Sequence, residues 1–126
     1  MKGLKVFLFL SFLYAAIFGV VALVYPAAVE DMLGSSAPYV RTLAGIGLGF
    51  ALALWYAFRD PVKNIAIVRA VIVWFGLEAL LLLLASFTGD ITWSTTLSGI
   101  IIDAILAIGL GIYYPRSKPA PAKPAA

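Results

Sequence analysis

Charged positions divide this chain into four long apolar runs. No residue between Lys5 and Glu30 is charged, and a second run lies between Arg41 and Arg59. A third, near 65–87, carries Glu78 in its apolar middle, and a fourth, near 97–114, is interrupted only by Asp103. Runs of about 20 apolar residues match the roughly 30 Å hydrocarbon core of a bilayer. Lipid offers no hydrogen-bond partner to an open backbone, so each run must be helical. The pattern predicts helices near 5–25, 38–58, 62–87 and 95–114. Together these make an all-α fold, an integral membrane four-helix bundle running up-down-up-down within one domain, residues 1–114.

The breaks between runs carry stop and start signals. Pro26 ends the first helix, and Ala27 to Leu33 have the length of one short interfacial turn closed by Gly34. Ser35 or Ser36 can cap the second helix with Pro38 in its first turn, and Asp60-Pro61 repeats that arrangement before the third. Gly89-Asp90 marks a tight turn, followed by Thr92 or Ser94 as a cap. The Pro/Ala/Lys-rich segment 115–126 lacks a periodic apolar face and reads as a disordered tail.

Basic residues orient the bundle. Lys2, Lys5, Arg59, Lys63, Arg69, Arg116, Lys118 and Lys123 fall on one side, eight of the nine in the chain. The other connections hold Glu30, Asp31 and Asp90, with Arg41 at a helix edge. The positive-inside rule then places both termini in the cytoplasm of a multi-pass protein of the plasma (bacterial inner) membrane. Tyr25, Tyr39 and Trp93 fit the outer interface, and Trp55, Tyr56, Tyr113 and Tyr114 the inner one. The first run also resembles a secretory signal, but it exceeds the usual apolar core of about 7–15 residues, which reads as an uncleaved anchor.

Composition supports the membrane reading and narrows the chemistry. Hydrophobic residues make up 63% and charged ones 12%, about half the charge of an ordinary soluble domain; mean hydropathy is +1.06. The chain has no His and no Cys, which removes imidazole and thiolate ligation as well as a Cys nucleophile or His base. We therefore expect no catalytic residues, no metal site, no cofactor and no nucleic-acid partner. The expected surroundings are the lipid bilayer and a second copy or a membrane partner subunit.

Small residues suggest where helices meet. Gly45, Gly49, Ala53 and Ala57 recur at four-residue spacing, as do Gly99, Asp103, Ala107 and Gly111, and Ser11, Ala15 and Gly19. Such ridges let backbones approach closely, either within the bundle or at a homodimer seam.

Glu78 and Asp103 are the candidate chemistry. A carboxylate near the bilayer centre costs about 2.5–3.5 kcal/mol on insertion scales. A short turn joins their helices, which puts both acids at similar depth. Trp74, one turn before Glu78, shares its face, and Tyr14 sits mid-helix as a hydrogen-bond donor. Arg41 reaches an acid only by turning inward. Arg69 lies half a rotation from Glu78 and snorkels toward the cytoplasm. The pair reads as structural glue, as a proton-coupled site, or as a contact to a partner or lipid headgroup.

Tyr25-Pro26-Ala27-Ala28 with Leu33-Gly34, Arg41 opening a glycine-rich helix, Arg59-Asp60-Pro61 and Gly89-Asp90 occur in an order that resembles the small four-helix membrane proteins grouped around DoxX. The resemblance spans residues 4–114. It implies a four-helix bundle, and for some members an accessory role beside membrane redox systems. The acid at Glu78 departs from it, since some of those relatives carry an arginine in the third helix. The expected function is a non-enzymatic accessory or scaffold component of a membrane complex. The alternative is a proton-coupled small-solute transporter using Glu78 and Asp103.

Overall fold

The computed structural model describes residues 1–33, 37–89 and 93–116. All regular structure among them is helical: α1 (Lys2–Val24), α2 (Ala27–Leu33), α3 (Ala37–Arg59), α4 (Ile65–Thr88) and α5 (Trp93–Ile112). Gly34, the Ser35 and Ser36 caps, Asp90, Thr92 and the tail from 117 onward lie outside the described residues.

Among the described residues, three helices are long and apolar enough to cross a membrane: Lys2–Val24, Pro38–Arg59 and Ile65–Thr88; the apolar stretch Thr96–Ile112 of α5 is shorter. Their surface is that of a membrane protein. On α4, Val73, Leu77, Leu80 and Leu84 are each more than half exposed, and Val20 and Leu23 on α1 and Ile101, Ile105, Ile108 and Ile112 on α5 extend the apolar belt. Soluble monomers rarely expose apolar patches beyond a few hundred Å².

Local sequence sets the helix ends. The α1 ladder closes where the Tyr25 N–H donates to the Val21 carbonyl, and Pro26 opens the turn into α2. Gly89 ends α4 in the left-handed conformation at φ 82, with its N–H donating to Ala85. The Asp60-Pro61 pair does not start α4. Asp60 instead closes a turn, its Oδ1 accepting from the Lys63 N–H at 3.0 Å. Asn64 Nδ2 then donates to the carbonyls of Tyr56 and Asp60 at 3.1 and 3.0 Å. These bonds satisfy carbonyls at the end of α3 and delay α4 to Ile65.

The long helices pack as two close pairs, α1 along α3 and α4 along α5, with thinner contact between pairs. Where the chain's first residues, the end of α3, the start of α4 and the end of α5 come together, all four contribute to one core. It contains Leu4, Leu8, Leu54, Val68, Val71 and Leu110. At the opposite end a smaller cluster, Ala22, Val29, Val40 and Ala44, draws only on α1, α2 and α3.

Two glycines lock α1 to α5 at the four-helix end. The Phe7 ring lies directly over Gly109 and the Tyr113 ring over Gly3, and the two rings stack at 5.7 Å. Arg69 adds a link between the start of α4 and the end of α5. Its Nε donates to the Tyr114 hydroxyl and its guanidinium sits 5.7 Å from the Tyr114 ring, just beyond the end of α5.

Helix α3 departs from the expected ridge, of which Ala57 alone is fully buried. A methyl group at Gly19 would meet Leu48 at 2.9 Å, and one at Gly47 would lie 3.8 Å from both Ala15 and Gly19. At Gly45, Gly49 and Gly111 it would meet nothing within 4 Å. The intramolecular role expected of those three is therefore corrected: α3 turns Ala44, Gly47, Ala51 and Leu54 toward its neighbours and leaves Gly45 and Gly49 outside. Ala53 is half-buried, Ala107 packs on the core, and a methyl group at Gly99 would lie 3.5 Å from Leu82.

These contacts predict opposite outcomes for two glycines. Gly109→Val must displace the Phe7 ring and should lower stability by about 1–3 kcal/mol, as overpacking does. Gly49→Ala should raise it by about 0.5–1 kcal/mol, because only helix propensity changes. Reversible unfolding in mixed micelles measures both, and a loss of stability at Gly49→Ala would mean that another helix covers it.

Candidate functional site

Between the two helix pairs, toward the less consolidated end, lies a cavity of about 180 Å³. α1 supplies Tyr14, Ala15 and Phe18; α3 supplies Phe50 and Gly47 among others; α4 supplies Trp74, Phe75 and Glu78; Thr96 and Gly99 come from α5. The cavity follows from the packing. The pairs are drawn together by the core at one end, and beyond it α1–α3 and α4–α5 each close on their own partner. Glycines at 47 and 99 leave the walls without side-chain bulk.

Glu78 is the one acidic residue in that wall. Trp74, four residues earlier on the same face, donates its indole N–H to Glu78 Oε2 at 2.8 Å. Phe50 meets the indole edge-on at 3.7 Å between centroids and fixes it from α3. Tyr14 packs at 6.2 Å from the Phe75 ring on the opposite wall. The face shared by Trp74 and Glu78 is thus a built hydrogen-bonded pair, half-buried between helices.

Asp103 is placed differently. It does not line the cavity, and it is fully buried. Neither carboxyl oxygen has a hydrogen-bond partner among the described residues. Its helix, α5, packs along α4, which carries Glu78. A buried polar group left unmatched costs about 1–3 kcal/mol. The reading of Asp103 as structural glue therefore finds no hydroxyl or backbone donor to join it to.

Hydroxyls nearby are otherwise engaged. Ser11 donates to the Phe7 carbonyl at 2.8 Å and Ser86 to the Leu82 carbonyl at 2.9 Å. Ser86 and Thr96 also share a hydrogen bond at 2.7 Å, which ties α4 to α5. Arg41 stands apart, exposed on the first turn of α3 and absent from the cavity wall. No ion pair links it to either acid among the described residues. The cavity residues that sequence reasoning missed, Phe18, Phe50 and Gly47, carry no signal beyond apolarity. In hydrophobic helices lipid-facing and inward-facing positions look alike.

No grouping of three or more potential ligating side chains suited to a metal occurs among the described residues. No protein-family model, curated protein or solved structure matches the chain.

The state of Asp103 is testable without a ligand. Asp103→Ala removes no hydrogen bond, so stability should hold or rise by about 1 kcal/mol. Denaturant unfolding in bicelles reads this directly; a drop of similar size would reveal a partner that Asp103 holds in place.

Proposed function

We propose that this chain is a small multi-pass protein of the plasma membrane whose helices α1, α3, α4 and α5 cross the bilayer up-down-up-down, with both termini in the cytoplasm. The distribution of basic residues supports the orientation. The 20 residues of α5 give about 30 Å at 1.5 Å per residue, enough for a crossing beside α4. Its work is non-enzymatic: it binds a small solute between the two helix pairs and couples that binding to protons held on Glu78 and Asp103.

One observation carries the reading. A cavity between the helix pairs has a carboxyl in its wall, and a second carboxyl on the adjoining helix is buried with no hydrogen-bond partner among the described residues. Ionisable residues are costly inside a membrane and mark substrate, ion or proton paths there. A merely structural pair would hydrogen-bond to neighbouring helices, and Asp103 does not.

The accessory or scaffold role is the second reading, and the outward Gly45, Gly49 and Gly111 favour it. They leave backbone accessible to a helix of another chain, consistent with the DoxX-like order of features. In that case the acids serve an assembled complex rather than a solute.

Proteoliposomes carrying an imposed pH gradient separate the two. Addition of small single-ring solutes, neutral and charged, should evoke transient currents in solid-supported-membrane recordings. Glu78→Gln should abolish them while the protein still elutes as a folded species. Undiminished currents in that variant would remove Glu78 from the mechanism. Absent currents, together with a stoichiometric second protein in native mass spectrometry, would establish the accessory role.

A further inference from the structure

The cavity wall specifies the kind of solute. Resting on the reading of that cavity as a solute site, we propose that its ligand is a single-ring organic ammonium ion. Its ring lies among Phe50, Trp74 and Phe75, and its charge rests on the Glu78 carboxylate.

Size sets the first limit. A cavity of about 150 Å³ holds one benzene ring, so the 180 Å³ here accommodates one ring with a short substituent. Charge sets the second. Among the described residues the wall contains Glu78 but no Lys or Arg. An anion would find no cationic partner there and would be repelled by Glu78 in its ionised form. A neutral hydrocarbon, including a lipid acyl chain, would leave the carboxyl desolvated and unmatched, which is unfavourable in a low-dielectric interior.

Aromatic content is the third argument. Tyr14, Phe18, Phe50, Trp74 and Phe75 all line the space. Their ring faces carry negative quadrupole density that attracts a cation, and the attraction grows when water is excluded. The Trp74 indole occupies Glu78 Oε2 and orients the carboxyl. Oε1 then remains for an ammonium N–H. Carboxylate, indole and rings thus offer charge, direction and shape to one class of molecule.

The test uses the full chain in lipid nanodiscs, with Trp55→Phe and Trp93→Phe so that Trp74 is the only indole. Benzylamine, protonated at neutral pH, and benzyl alcohol, its neutral counterpart, are titrated against Trp74 fluorescence. Benzylammonium should bind saturably and at least about tenfold more tightly than benzyl alcohol. Glu78→Gln should erase that preference. Equal affinities for the two probes would overturn the ligand class, and this comparison needs no Glu78 variant to fold. A preference that survives Glu78→Gln would overturn it as well. Both of those results leave the cavity standing as a solute site. Failure of both probes to give a saturable signal would overturn the solute reading itself and point to an acyl chain as the occupant.

Discussion

Inside a bilayer, helices gain nothing from hiding apolar surface, because lipid tails are as apolar as their neighbours. What holds them is the closeness of contact. In this chain the closest contacts are made where a side chain sits on a glycine. Phe7 over Gly109 and Tyr113 over Gly3 join α1 to α5, and Leu48 against Gly19 joins α1 to α3. The remainder of the architecture follows from where these contacts fall. The ring-on-glycine pair lies at the four-helix end, so the helix pairs are fastened there. Farther along, each helix keeps only its own partner close, and space is left between the pairs.

On α4 and α5 the chain places polar atoms it could have avoided. Trp74 and Glu78 satisfy each other in part, whereas Asp103 is satisfied by nothing described. A bundle built only to persist would carry leucine or alanine at 103, as its neighbours Leu106 and Ala104 illustrate. An arrangement that sacrifices stability in one place is a common mark of function. The arrangement also explains why Arg41 takes no part: its helix begins at the surface, too far along α3 from the middle of the membrane.

Much of the fold is legible in the sequence because charge and proline interrupt apolar runs at intervals set by bilayer thickness. Lys5 to Glu30 and Arg41 to Arg59 leave little choice but a helix each. The spacing of Trp74 and Glu78 puts them on one face whatever the neighbours do. Rotation of each helix about its axis is less legible. Gly45 and Gly47 differ by two positions in the same apolar run, and nothing in composition says that Gly47 faces α1 while Gly45 faces outward. In a soluble protein polar residues would mark the outer face. Here Ile46 and Leu52 are as suitable for lipid as Ala44 and Leu54 are for the core. The seats at Gly3 and Gly109 were illegible for another reason: each depends on a ring from a helix about a hundred residues away. Asp60-Pro61 misled because its carboxyl caps a turn rather than a helix.

The rim of the cavity includes Leu43 and Ile46, both well exposed. In a membrane, such a rim meets acyl chains and not water. If the proposed solute binds there, it reaches the site from solution in the bilayer, after partitioning. Its effective concentration is set by lipid composition and by the surface potential of the leaflet, which enriches cations near anionic headgroups. Occupancy becomes a property of the membrane as much as of the protein, and the same aqueous dose would fill the site to different extents in membranes of different charge.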